Sequence, residues 1–352
     1  RKLSRGKFDM ILLSEQKNMF SFLEKTAKDI TPVIKKILGK YSGDKTKETV
    51  YYQMESGGKR LRPALAIASC LVCDGKKKDI IYPAAGLEIL HNDTLIIDDI
   101  IDHSLLRRNK PTVWANFGKS IAECLSLVYS VSFIQAVLES KEFLKISEIF
   151  IKTMKTIVEG EILDILFEQY GRKDESYITK NRYSRITERD YFEMVSKKTA
   201  ILFQACCEVG GICAKAKENQ IKALKHYGFN LGVAFQIKDD ILDIFGGKEV
   251  GKKIGGDIKE RKLGNIVILL AFRELPQKEK KIILKKLRKD NLTDKDIKTV
   301  IQLIKKTNSY SKACQLMERY IGKAKTNLKT LPKNEWQDIL KEITDFVGAR
   351  EK

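Results

Sequence analysis

Two short acidic clusters in this 352-residue chain share one pattern: Asp98-Asp99-Ile100-Ile101-Asp102 and Asp239-Asp240-Ile241-Leu242-Asp243. Each reads D-D-x-x-D. Each follows an apolar run, Leu95-Ile96-Ile97 in the first case and Val233-Ala234-Phe235 with Ile237 in the second. On a helix the first and last aspartates, four apart, stand on one face. Carboxylates stacked in this way repel, and ending an apolar stretch on them costs desolvation unless cations occupy the site. Hard divalent cations suit all-oxygen ligands, and Mg2+ is completed by water and phosphate oxygens rather than by a closed protein cage. A single cluster would read as surface charge. Two facing clusters point to a polynuclear Mg2+ site that grips a phosphorylated substrate.

Cationic residues accompany both clusters. Gly57-Gly58-Lys59-Arg60-Leu61-Arg62-Pro63 opens a helix, with glycines for backbone freedom and a proline suited to the first turn. Three cations in four residues repel one another, so a bound polyanion is their natural partner, and arginine offers bidentate phosphate contacts. The G-x-x-x-x-G-K-[ST] spacing of a P-loop is absent. Arg107 and Arg108, within Leu105-Leu106-Arg107-Arg108-Asn109-Lys110-Pro111-Thr112, set a phosphate grip beside the first cluster. His91 is one of three histidines and, standing alone, reads as a core residue. Lys198-Thr199 lies in an otherwise apolar helix, where a lysine needs an anionic partner. Gln236 precedes the second cluster, and Lys252-Lys253 and Lys262 follow it around Gly255-Gly256-Asp257.

The elements that must position these residues are helices. Apolar residues at 3–4 spacing predict them over 11–38, 63–73, 82–102, 120–138, 146–169, 190–213, 220–245 and 264–273. Two more, near 278–289 and 295–306, have basic outer faces, and a last pair covers 309–328 and 336–346. Period-2 alternation is rare, so the fold class is all-α. Breaks fall at 39–43, 74–78, 109–111 and 171–184, and the segment 246–256 after the second cluster is a candidate lid. Only six prolines occur and no Gly/Ser/Pro-rich linker divides the chain, which predicts one domain over 1–352 with 1–15 as a basic N-terminal extension.

Composition excludes several classes. The net charge of +20 raises nucleic-acid binding, but the lysines are spread through the chain among acids, and no aromatic-interleaved basic strand occurs. Nucleic acid is therefore not an expected partner, and a positive field that draws in polyanionic substrates is. No apolar run approaches the ~20 residues of a bilayer-crossing helix, so no transmembrane segment is expected. Seven cysteines in mostly apolar contexts read as reduced buried thiols. Arg1 to Arg5 is basic without an apolar h-region behind it. A cytoplasmic location follows, or an organellar one if a targeting segment has been removed.

Taken in order, G-G-K-R-L-R-P, the first D-D-x-x-D, L-R-R-x-K-P-T, K-T-A (Lys198-Thr199-Ala200) and F-Q-x-x-D-D (Phe235 to Asp240) resemble the trans-isoprenyl diphosphate synthases. The likeness runs from about Tyr52 to Arg350. It implies a single large helical bundle around a deep central cavity, the isoprenoid synthase type, commonly as a homodimer. It implies that Asp98, Asp99, Asp102, Asp239, Asp240 and Asp243 bind Mg2+, with Asp98, Asp99, Asp102, Lys198, Asp239 and Asp240 as the catalytic set. Arg107, Lys198, Lys253 (or Lys252 in its place) and Lys262 would hold an allylic diphosphate: dimethylallyl, geranyl or farnesyl. Gly58, Lys59, Arg62, His91 and Arg108 would hold isopentenyl diphosphate, and Thr199 and Gln236 would line the path of the carbocation.

In that family the residues four and five before the first aspartate face the growing chain. Here they are Thr94 and Asp93, with Leu90 and Leu87 deeper, so a product of geranylgeranyl length or longer is expected. If Asp93 faces another helix, Tyr129, Phe133 or Phe167 supplies the floor. The alternatives are a short-chain farnesyl diphosphate synthase and a class I terpene cyclase. The cyclase would carry an N-S-E type motif at the second position and has no need of G-G-K-R-L-R-P.

Overall fold

The computed structural model describes residues 17–246 and 254–349, and helices dominate them. In chain order these are α1 Lys17–Gly39, α2 Lys47–Glu55, α3 Leu61–Leu71 and α4 Lys77–Ile101. A hairpin of β1 Leu106–Arg107 and β2 Lys110–Pro111 leads to α5 Val113–Phe117, α6 Lys119–Leu138, α7 Phe143–Leu166, α8 Ser176–Asn181 and α9 Glu188–Val195. A π-helical turn, Ser196–Ala200, joins α9 to α10 Ile201–Cys213, followed by α11 Glu218–Phe245, α12 Gly256–Lys259 and α13 Ile266–Glu274. The remainder is α14 Gln277–Leu287, α15 Asp294–Ile304, α16 Ser309–Leu328 and α17 Glu335–Ala349. The all-α expectation holds. The helix expected over 190–213 is interrupted by the π turn, and α2, α5 and α8 carry too short an apolar pattern to have been read.

Two compact units divide the described residues: one within 1–154, 202–228 and 325–346, the other within 155–201, 229–324 and 347–352. In the first, α4 packs against α1, α3 and α6. Its residues Ala84, Ala85, Leu87, Ile89 and Leu90 are fully buried. Gly86 lets α6 approach closely, because a Cβ there would lie 3.2 Å from Phe133 O and 3.1 Å from Ala136 Cβ. Tyr129 of α6 donates to Val50 O of α2 at 2.7 Å. Asp93, the residue that fits an apolar tunnel least, turns onto α6, where Ser126 and Ser130 donate to its two carboxylate oxygens at 2.6 Å each.

One helix passes the length and composition test for a bilayer-crossing segment without indicating a membrane span. α6 is long and apolar enough, by length and composition, to cross a bilayer, although no uninterrupted run of the sequence announces it. Its serines are why: they break the run yet face inward onto Asp93, and the opposite side exposes Leu127, Val131 and Leu138. Nearly half of that stretch is buried within the protein, as in the core helix of a globular fold.

In the second unit, α7 meets the π turn at Gly160. A Cβ at this position would fall 2.3 Å from Lys198 N, so only glycine permits the contact. Thr187 caps α9 in a capping box with Asp190, and Asn265 caps α13 by accepting from Val267 N and Ile268 N. The seven cysteines form no disulfide; five are buried, while Cys124 is exposed. Burial pushes the Cys70 thiol up to about 12 and the Cys73 thiol up to about 11, so the C-x-x-C pair stays protonated.

Candidate active site

The first aspartate cluster closes α4. Asp102 is the C-cap residue and its N–H returns to Asp98 O, which keeps Asp98 and Asp102 on one partly exposed face. Asp99 points the other way and is 1% exposed. The β1–β2 hairpin turns at Arg108 and Asn109, both left-handed with φ 53° and 63°, the conformation a two-residue hairpin loop demands. That turn brings Arg107 back onto Asp99: Nε lies 3.0 and 2.9 Å from the two carboxylate oxygens, and Nη2 lies 2.8 Å from Oδ1. Burial raises the Asp99 carboxyl above the usual range, and the Arg107 guanidinium opposes that rise.

Within the same unit the turn 57–60 is left-handed at Gly57 (φ 96°), Gly58 (φ 124°) and Arg60 (φ 52°) before α3 begins. Gly58 lies against the Arg108 guanidinium, where a Cβ would come within 2.8 Å of Nη1. Arg108 also donates to Gly57 O. Arg62 reaches His91, with Nη1 to Nε2 at 2.9 Å, and stacks over the Phe203 ring at 5.0 Å. Burial, then the Arg62 charge, pushes His91 well below its usual range. The imidazole is therefore neutral and Nε2 accepts from Arg62. Lys59 Nζ sits 4.6 Å over the Phe346 ring. Not all three cations of the motif await a polyanion, as the sequence suggested. Arg60 is buried and paired with Glu88 at 2.9 Å.

The second cluster, at the end of α11 in the other unit, repeats the geometry of the first. Asp239 and Asp243 are partly exposed, and Asp240 is 3% exposed. Asp240 receives Ile266 N and Gln236 Nε2, each at 2.9 Å. Asp243 receives Gly256 N at 2.7 Å and Asp257 N at 3.3 Å, which ties the start of α12 to the cluster. Burial, then the neighbouring Asp257 charge, raises both Asp240 and Asp243 well above the carboxylate range. A cation bound beside them would favour their ionised forms.

The π turn presents Lys198 and Thr199. Lys198 Nζ contacts Glu161 Oε2 at 2.6 Å and Asp164 Oδ2 at 2.7 Å, both from α7. Lys262 Nζ reaches the same Asp164 oxygen at 3.0 Å, so one carboxylate sets the spacing of two ammonium groups. Although burial works against it, this pair of charges holds the Asp164 carboxyl well below its usual range. Thr199 Oγ1 donates to Gln236 Oε1 at 2.8 Å, completing a chain from Thr199 through Gln236 to Asp240.

Residues 44–304 match the polyprenyl synthetase family. This chain belongs to that family. It is similar to the geranylgeranyl diphosphate synthase of Saccharolobus solfataricus, at 34% identity over 87% of this chain and 90% of that one. A geranylgeranyl pyrophosphate synthetase structure from Pyrococcus horikoshii matches with a TM-score of 0.84 at 30% identity, over 95% of this chain and 99% of that one. A decaprenyl diphosphate synthase from Rhodobacter capsulatus matches with a TM-score of 0.84 at 27% identity, over 96% and 99%. The chain is a prenyltransferase of isoprenoid biosynthesis with the all-α isoprenoid synthase fold.

Viewed as a polyprenyl synthetase, the molecule brings together Asp99 with Arg107, Gly58 with Arg108, Arg62 with His91, Thr199 with Gln236, and Lys198 with Lys262 through Asp164. Lys252 and Lys253 lie outside the described residues, as does most of the candidate lid. Among the described residues no three His, Cys, Asp or Glu side chains are grouped closely enough to hold a metal ion by themselves. Sequence reasoning missed Glu161, Asp164 and Glu88. The sequence signal for the first two was an acidic pair three apart inside the apolar run of α7. Glu88 is likewise an acid in the apolar middle of α4, five residues before Asp93.

Proposed function

We propose that this chain condenses isopentenyl diphosphate with an allylic diphosphate (dimethylallyl, geranyl or farnesyl) and yields geranylgeranyl diphosphate or a longer polyprenyl diphosphate. The observation that carries the reading is the repeated cluster geometry. In each D-D-x-x-D the middle aspartate is buried and held by its own partners, while the first and last keep a partly exposed face.

The donor set fits Mg2+. All the groups are carboxylate oxygens, the hard donors that Mg2+ takes alongside water and phosphate. Asp98, Asp102, Asp239 and Asp243 would hold the metal, with Asp99 and Asp240 fixing their orientation. When bound, Mg2+ supplies Lewis-acid neutralisation of the departing diphosphate. The chain's own residues do the rest. Lys198, Lys262 and Arg107 take the allylic diphosphate as its charge grows. The Thr199 hydroxyl and the Gln236 carbonyl oxygen lie along the path of the allylic cation. Lys59, Arg62, Arg108 and neutral His91, with Gly58 allowing close approach, hold isopentenyl diphosphate so that its double bond attacks. The released proton passes to the departing diphosphate, so no side-chain base is required.

Because Asp93 faces α6, the floor of the chain path would come from Tyr129, Phe133 or Phe167, each of them buried. Asp93 is turned onto α6 by Ser126 and Ser130, and Thr94, four residues before Asp98, puts no aromatic one turn below the first cluster. Similarity to geranylgeranyl and decaprenyl diphosphate synthases supports a product of C20 or longer. A homodimer is supported by the outer stripe of α6, where Ile121, Leu127, Val131 and Leu138 are 43–70% exposed. Seven unpaired thiols support a reducing compartment such as the cytoplasm or an organelle matrix. The test is incorporation of labelled isopentenyl diphosphate with each allylic primer in Mg2+ and in chelator. Absence of Mg2+-dependent prenyl transfer with every primer refutes the reading.

A further inference from the structure

Arg60 and Glu88 are charged, sealed from solvent, and assigned to no substrate. Arg60 precedes α3 with φ 52° and ψ 38°, a left-handed backbone that side chains with a Cβ seldom adopt. Its side chain folds back beneath the turn it belongs to. Nη1 donates to Gly57 O at 3.2 Å and to Glu88 Oε1 at 2.9 Å, and Nη2 donates to Met54 O at 2.6 Å. The two side chains are 7% and 3% exposed. Glu88 Oε1 also receives Asn92 Nδ2 at 3.2 Å, so the carboxylate is fixed on α4 before it meets Arg60.

Stability alone does not explain the pair, because well-packed apolar residues of the same volume generally serve as well as a buried ion pair. A guanidinium does offer something particular, a rigid fork of donors. Here the fork pins the last turn of α2, the Gly57 carbonyl and α4 to one another. Gly57 O is a shared pin, since Arg108 donates to it from the other side. Three residues beyond Glu88 on the same helix stands His91, which receives Arg62. One turn of α4 thus fixes both the glycine turn and the histidine.

We propose that Arg60 and Glu88 are positioning residues for the diphosphate of isopentenyl diphosphate: their buried pair holds the turn 57–60 against α4 so that Lys59, Arg62, Arg108 and His91 converge on one anion. The proposal rests on the functional reading above. Neither residue touches substrate. Because Glu88 cancels the Arg60 charge, the pull on the anion comes from the outer cations, and the pair governs only their placement. The lysines assigned to the allylic diphosphate hang from Asp164 instead, so disturbing Arg60 or Glu88 should affect one substrate and spare the other.

Glu88→Gln keeps shape and an acceptor oxygen but removes the charge. Arg60→Lys keeps the charge but loses the fork, and so serves where the first variant folds poorly. Isopentenyl diphosphate alone is titrated calorimetrically, both KM values and kcat are measured, and melting is followed by circular dichroism. Both variants should weaken isopentenyl diphosphate binding and raise its KM about tenfold, with the allylic KM and kcat within twofold of wild type. Unchanged isopentenyl diphosphate affinity in both variants overturns the inference. So does a parallel loss for both substrates that tracks a lowered melting temperature. A wild type that binds no isopentenyl diphosphate overturns the functional reading itself, whereas a binding wild type with unaltered variants overturns this inference alone.

Discussion

Arg107 closes on Asp99 through both carboxylate oxygens, at 2.8 to 3.0 Å, from a hairpin only eight residues further along the chain. The middle aspartate of the first cluster is thereby neutralised in place, which separates its role from those of Asp98 and Asp102. Asp98→Ala should lower kcat by about 10³ with little change in melting temperature, because it removes charge stabilisation at a partly exposed position. Asp99→Ala should lose activity and also about 1–3 kcal/mol of stability, because it strips a buried pair of one member. Parallel melting curves and turnover numbers distinguish the two. Equal stability loss in both variants contradicts the division.

Separate cationic groups predict separable kinetic defects. Arg62→Ala should chiefly raise KM for isopentenyl diphosphate, and would leave His91 without the donor that sits 2.9 Å away. Lys198→Ala should chiefly affect the allylic substrate and kcat, since it takes one of the two ammonium groups spaced by Asp164. Steady-state kinetics with each substrate varied in turn decides this, and equal effects of both changes on both substrates contradict it.

How much of this was legible in the sequence differs from residue to residue. The four-residue spacing within each cluster shows which aspartates share a face, because helix geometry alone fixes it. The partner of the middle aspartate was hidden, since Arg107 meets Asp99 only through a turn with two left-handed residues. Lys198 could be recognised as a lysine in need of an anion. Glu161 and Asp164 could not be matched to it, because the match depends on Gly160 letting α7 touch the π turn. Asp93 looked out of place along an apolar helix, yet its explanation was present in the i, i+4 serines of α6.

Asp93 also makes a pH prediction. Burial raises its carboxyl to about 6 from 3.8, against the opposing hydrogen bonds of Ser126 and Ser130. The folded state therefore prefers the protonated form. The associated stability is fully present below pH 3.8 and is lost as pH rises through about 6. Asp93→Asn can accept from one serine and donate to the other without that penalty. The variant should be more stable than wild type at pH 7, by on the order of 2 kcal/mol. The difference should shrink toward pH 4. Urea unfolding across this range measures it, and a gap that widens on acidification contradicts it.

Product length should respond to Thr94. A helix advances about 5.4 Å per turn, close to one isoprene unit, so an aromatic one turn below Asp98 should act as a floor. Thr94→Phe should shorten the longest product by at least one unit relative to a wild-type product of C20 or longer. Chromatography of the dephosphorylated prenols reads this directly. A farnesyl end product in the wild type, or no shortening in the variant, contradicts it.

The central claim is that both aspartate clusters serve one Mg2+-dependent prenyl transfer, and Asp239→Ala tests it most directly. With labelled isopentenyl diphosphate, farnesyl diphosphate and saturating Mg2+, the wild type should form radiolabelled prenyl diphosphate. A folded Asp239→Ala protein, checked by circular dichroism, should turn over about 10³-fold or more slowly. Turnover in the variant within a few-fold of wild type would contradict the account.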